Sequence, residues 1–257
     1  MLPRDRIRTA LTRDLKTGGQ PALVAFLTAG YPEPREFLKA LRAVAGAADA
    51  VEIGVPFSDP MADGVTIQRS SQHAIEKGVT LSWILDELAR RDFELPAPVL
   101  LMSYLNPLLV YGYDALAARA AKVGVSGFIV PDLPYEESAP FAAALNTHGL
   151  ALVQLVTPAT PPERLKRVCG ASQGFVYAVT RLGLTGSEST LPPDTAKYLA
   201  AVKAASPLPV CAGFGVRRAD QVKVIGQHAD GAVVGAALVE VLERGEDPAA
   251  FLKALRA

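Results

Sequence analysis

The chain has 257 residues, and 50% of them are hydrophobic, which is enough for one barrel-sized core or two small ones. Its 26 basic and 26 acidic side chains give a formal net charge of +0, which argues against nucleic acid as a partner. The 2 cysteines and 3 histidines lie apart from one another, in no disulfide framework or ligand cluster. We therefore expect neither structural disulfides nor a metal site.

Residues 1–19 predict an amphipathic, charged helix without the continuous apolar stretch of a secretion signal. No later run approaches the length of a membrane span. The sequence is therefore expected to belong to a cytoplasmic protein. Because this helix precedes the first predicted strand, we expect it to cover the bottom of the fold.

Short apolar runs alternate with longer amphipathic ones along the rest of the chain. The longer runs predict helices, among them residues 34–47 and 80–91, and several end on Gly, a common helix terminator. The short runs are rich in Val, Ile, Leu and Phe and predict eight buried parallel strands, at residues 22–28, 50–54, 98–103, 127–130, 150–156, 174–180, 208–213 and 231–235.

This alternation of strand and helix predicts right-handed βαβ units and a parallel sheet. Eight strands in a chain of this length fit a closed (β/α)8 barrel (a TIM barrel) with an extra N-terminal helix better than an open doubly wound sheet. No linker or low-complexity segment divides the chain, so residues 1–257 are predicted to form one domain. Active sites of such barrels lie at the C-terminal ends of the strands, where polar residues become candidates.

Two carboxylates stand at the end of the second strand. Glu52 lies inside an apolar run, where a carboxylate is costly unless it is paired with an arginine or used in chemistry. Asp63 precedes Gly64 and a helical pattern that runs to Lys77, so it is either an N-cap or a functional group. The residues alone leave both alternatives open.

Glycines follow the last three strands. Gly186 comes after the sixth strand, Gly215 after the seventh, and Gly235 with Ala236 after the eighth. One such glycine is ordinary turn chemistry, but backbone N–H groups in the last loops of a barrel commonly bind phosphate. Together they indicate a phosphorylated substrate.

Several of these segments resemble the tryptophan synthase alpha subunit family. Residues 52–64, Glu-Ile-Gly-Val-Pro-Phe-Ser-Asp-Pro-Met-Ala-Asp-Gly, match that family's loop after strand 2 almost residue for residue. Residues 26–32, 101–107 and 131–138 are similar to its loops after strands 1, 3 and 4. The resemblance implies a barrel lyase that splits indole-3-glycerol phosphate into indole and glyceraldehyde 3-phosphate.

The resemblance also implies roles for single residues. Glu52 is then the acid/base, Asp63 binds the indole N–H, and Phe26 contacts the substrate. Tyr177 corresponds to an aromatic residue near the catalytic glutamate, although a core tyrosine at a strand end is the alternative. Thr185 corresponds to a threonine of a mobile loop that reaches the catalytic aspartate.

The phosphate would be held at Gly186, Gly215, Gly235 and Ala236. The family often has Ser where this chain has Ala236, so a hydroxyl donor is lost and a weaker hold on phosphate is expected.

A partner is implied by the resemblance alone. It is a beta subunit that carries pyridoxal phosphate in an α2β2 assembly, and the present chain would need no cofactor. Two alternatives stay open. Another phosphate-binding barrel enzyme would need a catalytic Lys or paired Asp residues at strand ends, and no Lys occupies the predicted strand ends. A non-catalytic barrel that only activates its partner would not need Glu52 and Asp63.

Overall fold

A closed barrel of parallel strands forms the centre of the computed structural model, which describes residues 1–12, 19–180, 193–213 and 215–257. The strands pair in chain order, and β8 closes the barrel by pairing with β1. Within this part of the chain the strands are β1 (Ala22–Thr28), β2 (Ala50–Gly54), β3 (Val99–Met102), β4 (Val125–Ile129), β5 (Ala151–Val156), β6 (Val176–Val179), β7 (Val210–Gly213) and β8 (Gly231–Val234).

Helices surround the barrel and connect its strands. None of the helices in the described ranges is long and apolar enough to cross a membrane. They are α1 (Pro3–Leu11), α2 (Phe37–Ala45), α3 (Val65–Glu76), α4 (Leu81–Arg90), α5 (Leu105–Tyr111), α6 (Tyr113–Lys122), α7 (Ala139–Asn146), α8 (Pro162–Ala171), α9 (Pro193–Ala205), α10 (Ala219–Gly226), α11 (Ala236–Glu243) and α12 (Pro248–Ala254).

Side chains alternate between the inside and the outside of the barrel along each strand, because successive residues of a strand face opposite sides. In β2, Val51 and Ile53 belong to the hydrophobic layer between barrel and helices. Ala50 belongs instead to the cluster that fills the barrel, together with Val24 and Leu100. The alternation therefore turns Glu52 into the barrel.

Helix α1 closes the bottom of the barrel. Its Ile7 and Leu11 are fully buried and join the cluster inside the barrel. The Arg4 N–H donates to the carbonyl of Gly149, just before β5, at 3.0 Å. The predicted N-terminal helix and its position are thus confirmed; the helix spans Pro3–Leu11, and residues 13–18 of the predicted segment lie outside the described residues.

Some predicted boundaries differ from the structure. The helix predicted over residues 34–47 starts as a 3-10 turn at Pro34–Glu36 and becomes α2 only at Phe37. Helices α5 and α12 were not predicted from the sequence. Helix α5 carries Pro107 in its first turn, where the missing N–H would have no intrahelical partner anyway, so this proline does not prevent a helix.

Candidate active site

Glu52 is completely buried inside the barrel, near the C-terminal end of β2. It lies opposite Phe26 of β1 and Leu100 of β3 in the strand register. Neither of its carboxylate oxygens has a hydrogen-bond partner among the described residues, so the alternative of a structural ion pair with an arginine is not supported. Burial raises the pKa of Glu52 from 4.5 to about 8, because a buried carboxylate loses its hydration. Glu52 is therefore mostly protonated at neutral pH.

Asp63 lies in the loop between β2 and α3, and it does not cap the helix. The N-cap of α3 is Gly64, and no side chain caps that helix end. The Asp63 carboxylate instead accepts a hydrogen bond from the Tyr104 hydroxyl at 3.2 Å. Burial raises the pKa of Asp63 and the Tyr104 hydrogen bond lowers it, with burial the larger effect. The N-cap alternative is thus wrong, and the carboxylate stays available to a ligand.

Tyr104 is the residue that the sequence analysis missed. It lies two residues after the end of β3, is buried, and its ring stacks on that of Phe57 with centroids 4.9 Å apart. Its hydroxyl accepts a hydrogen bond from the Ala62 N–H at 2.9 Å and donates to Asp63. Burial, with contributions from nearby carboxylates, raises the pKa of Tyr104 to about 12, so it remains a donor. Its position just after an apolar run was the sequence feature that could have marked it as a site residue.

Phe26 and Asp63 line the same cavity at the mouth of the barrel, together with Tyr104. The Phe26 ring lies against Gly54, where any Cβ would collide with it, so only glycine at the end of β2 leaves room for the ring. A Cβ on Gly235 would lie 3.9 Å from the Cβ of Phe26, which places the end of β8 beside this ring. Phe26 thus connects the acidic side of the mouth with the glycine loops.

Tyr177 faces the barrel interior from β6 and packs against the inner cluster, partly buried. Burial raises its pKa well above the usual range, and the nearby charges of Glu52, Cys211 and Asp63 add to this effect. A Cβ on Gly213 would lie 3.1 Å from the Tyr177 hydroxyl oxygen, so glycine leaves room for it. Tyr177 therefore lies near both carboxylates while it also packs in the core of the barrel.

The glycine loops also lie at the C-terminal ends of their strands. Gly215 follows β7 with φ +65°, in the left-handed region that favours glycine, and an added Cβ would meet nothing within 4 Å. Gly235 is the N-cap of α11, and Ala236 is the first residue of that helix. Backbone N–H groups in a first helical turn have no intrahelical acceptor. Thr185 and Gly186, also predicted to belong to the site, lie outside the described residues.

The fold and these side chains define a (β/α)8-barrel enzyme with carboxyl groups at the C-terminal end of β2 and in the loop that follows it. The buried Glu52 lies near the C-terminal end of β2, and a second carboxylate, Asp63, lines the cavity at the mouth of the barrel beside the Phe26 ring; the N-terminus of α11 follows the C-terminal end of β8.

Comparisons with known proteins identify the family. A family model described as tryptophan synthase alpha chain matches residues 12–256. The tryptophan synthase alpha chain of Nitratidesulfovibrio vulgaris (strain DP4) is 43% identical over 243 residues, covering 94% of this chain and 95% of the relative. That of Geobacter sulfurreducens is 43% identical over 251 residues, covering 95% of each chain.

Solved structures agree with these sequence comparisons. The tryptophan synthase subunit alpha of Legionella pneumophila str. Paris superposes with a TM-score of 0.85 at 33% identity, covering 98% of this chain and 97% of the other. An open form of the M. tuberculosis tryptophan synthase with BRD0059 bound gives 0.87 at 33% identity, covering 100% and 98%. The chain belongs to the tryptophan synthase alpha chain family, lyases that cleave indole-3-glycerol phosphate.

Proposed function

We propose that Glu52 and Asp63 carry out the retro-aldol cleavage of indole-3-glycerol phosphate to indole and glyceraldehyde 3-phosphate. The bond to be broken joins indole C3 to the first carbon of the glycerol chain. Protonation of C3 gives an indolenine cation, and loss of the proton from the adjacent hydroxyl then lets the bond break. The bond electrons return to the ring, and the glycerol carbon becomes the aldehyde. Indole C3 receives one proton and the hydroxyl releases one, so a single acid/base group can carry out both transfers.

Glu52 is the acid/base in this proposal, and its burial without a partner is the observation that carries it. With a pKa raised to about 8, the side chain is protonated at neutral pH and ready to donate to C3. The resulting carboxylate, buried and without a hydrogen-bond partner in the described structure, is then a strong base for the hydroxyl proton. The reaction returns Glu52 to its protonated form.

Asp63 is proposed to bind the indole N–H and to stabilise the positive charge that develops on the ring nitrogen. That role requires an ionised carboxylate at the mouth of the barrel. Burial raises the pKa of Asp63, and the hydrogen bond from Tyr104 opposes this rise by favouring the ionised form and fixes the direction of the carboxylate. Phe26 and Tyr177, which lie beside the two carboxylates, are proposed to contact the indole ring.

The phosphate of the substrate is proposed to lie at the N-terminus of α11. The N–H groups of Gly235 and Ala236 and the helix dipole favour an anion there, and Gly215 offers an open approach from the neighbouring loop. Thr185 and Gly186 are proposed to complete the site on the basis of the family resemblance. Phe26 lies on β1, between the strand that precedes Gly235 and the strand that carries Glu52, so one substrate is proposed to extend from the phosphate region to the carboxylates.

A beta subunit that carries pyridoxal phosphate is the proposed partner, in an α2β2 assembly to which indole is passed. Met61 and Val65 flank Asp63 and are 83% and 76% exposed, although both are large apolar side chains. On α5, which also follows the C-terminal end of a strand, Leu109 and Val110 are 53% and 81% exposed. Exposed apolar side chains around an active-site mouth are typical of a protein interface. We propose that these four residues contact the beta subunit.

The reaction is tested by incubating the purified chain with indole-3-glycerol phosphate and quantifying both products. The proposal predicts indole and glyceraldehyde 3-phosphate in equal amounts, faster when a beta subunit is added. Absence of both products with and without that subunit would contradict it. The partner surface is tested with Val110→Glu, which should weaken stimulation by the beta subunit, whereas Leu2→Glu at the opposite end of the barrel should not.

A further inference from the structure

Glu240 connects three separate segments of the barrel mouth. It lies in α11, one turn after Ala236. The Thr66 hydroxyl of α3 donates to its Oε1 at 3.2 Å. Arg217 donates to both carboxylate oxygens, from Nη1 to Oε2 at 2.6 Å and from Nη2 to Oε1 at 3.0 Å. One carboxylate therefore holds together a helix, a loop and the helix on which it lies.

Each of these segments carries part of the proposed site. Thr66 is three residues after Asp63, in the first turn of α3. Arg217 is two residues after Gly215, in the loop between β7 and α10. Glu240 belongs to the helix whose N-terminus is proposed to bind phosphate. The contacts of Glu240 thus link the group proposed to bind indole to both described loops proposed to bind phosphate.

Besides linking its loop to α11, Arg217 compensates the negative charge of Glu240. A carboxylate within the first turns of α11 opposes an anion at the N-terminus of the same helix. The forked guanidinium neutralises this carboxylate at close range and keeps the pKa of Glu240 below its usual value. Without Arg217, the negative charge of Glu240, one turn after Ala236, would lose its largest compensation and keep only the Thr66 hydroxyl and the nearby charge of Arg244.

Glu243 offers a matched comparison on the same helix face. It forms an ion pair with Arg69 at 2.6 Å, one turn further along both α11 and α3. This pair joins the same two helices as Thr66 and Glu240, but it does not reach the loop that carries Gly215. Any effect specific to Glu240 therefore reports on the three-way connection and not on helix packing alone.

We propose that Arg217 maintains phosphate affinity by neutralising Glu240, and that Glu240 is a positioning residue which, through its bond from Thr66, holds the segment carrying Asp63 against the helix proposed to bind phosphate. This inference rests on the proposed function, because it assumes that one substrate spans both regions. It adds to that function a determinant of phosphate affinity that does not itself touch the substrate.

The test measures kcat and KM for indole-3-glycerol phosphate and the Kd for glycerol phosphate, in variants whose folding is checked by circular dichroism. Arg217→Ala should raise KM and the glycerol phosphate Kd by about threefold to tenfold, as expected for an uncompensated charge near a partly exposed site. Adding Glu240→Gln should restore much of that affinity, because the opposing charge is then gone while the amide oxygen can still accept the hydrogen bond from Thr66. Thr66→Val should lower kcat more than it changes KM, since it frees only the segment that carries Asp63.

Glu243→Gln is the control and should change none of these constants by more than about twofold. The inference is overturned if Glu240→Gln gives no recovery in the Arg217→Ala background, or if Glu243→Gln reproduces the effect of Arg217→Ala. Either result in an enzyme that cleaves the substrate would leave the proposed function intact. A wild-type chain that neither cleaves the substrate nor binds glycerol phosphate would instead overturn both.

Discussion

Replacing Glu52 by Gln should change how the stability of the barrel depends on pH. In the folded protein burial raises the pKa of Glu52 from 4.5 to about 8, whereas in the unfolded chain the side chain is hydrated and titrates near its usual value. Between these two pH values the folded state holds a proton that the unfolded state has released. Stability therefore falls as pH rises through this window, and it is highest, as far as Glu52 is concerned, below pH 4.5.

The size of the effect follows from the two pKa values. Each tenfold change in proton affinity is worth about 1.4 kcal/mol, so between pH 4.5 and pH 8 the wild-type protein loses on the order of 4 kcal/mol through this one group. The Glu52→Gln variant has no such proton. Its stability relative to the wild type should therefore rise by this amount across the window, which corresponds to roughly 10 °C in melting temperature for a chain of this size.

The assay is urea unfolding of both proteins at several pH values. Fluorescence of Trp83, the single tryptophan, which lies against Phe37 with ring centroids 5.5 Å apart, reports on the fold. Val153→Ala, another change inside the barrel, is the control and should lower stability by a similar amount at every pH. A difference between Glu52→Gln and wild type that stays constant from pH 4.5 to pH 8 would refute the argument that Glu52 is buried as a neutral acid.

Three further substitutions test the rest of the site. Asp63→Asn should abolish cleavage while the melting temperature stays close to that of the wild type, because Asp63 caps no helix; a large loss of stability with normal activity per folded molecule would contradict this role. Tyr104→Phe keeps the ring on Phe57 but removes the hydrogen-bond donor to Asp63. The pKa of Asp63 should therefore rise, which moves the acid limb of the pH–rate profile to higher pH. The value of kcat/KM should fall by about tenfold. A profile that does not move would show that the Tyr104 hydroxyl has no influence on Asp63. Ala236→Ser should tighten binding of glycerol phosphate by up to roughly tenfold if the added hydroxyl reaches the phosphate, as a titration by calorimetry would measure, and unchanged affinity would mean that other donors already saturate the anion.

The architecture was predictable because its signals are periodic. Eight apolar runs separated by amphipathic helices leave few alternatives to a closed parallel barrel. Glu52 was identifiable as a candidate because it is a charged residue inside one of those apolar runs. The loop sequence around Asp63 was long enough to indicate a family. Strand ends shifted by one or two residues, as at β4 and β6, because hydrogen bonding and not hydropathy ends a strand.

Other features depend on contacts between residues that are distant in sequence. Tyr104 is 41 positions from Asp63, and its hydroxyl becomes important only once β3 lies beside β2. The need for glycine at position 54 becomes apparent only in the folded barrel, where Phe26 pairs with Glu52 and its ring lies against Gly54. Equally, no local pattern distinguishes Glu240, which bonds to Thr66 174 positions away, from the other glutamates of the C-terminal helices.

The cleavage rate of Glu52→Gln tests the central claim most directly. Indole release from indole-3-glycerol phosphate is measured for the variant and for the wild-type chain under saturating substrate, alone and with a beta subunit. A positioned acid/base contributes typically about 10²- to 10⁴-fold, so kcat should fall by at least roughly a hundredfold while glycerol phosphate binds as in the wild type. Activity within about tenfold of the wild type, with the substitution verified and the protein folded, would show that the buried glutamic acid does not carry the proton.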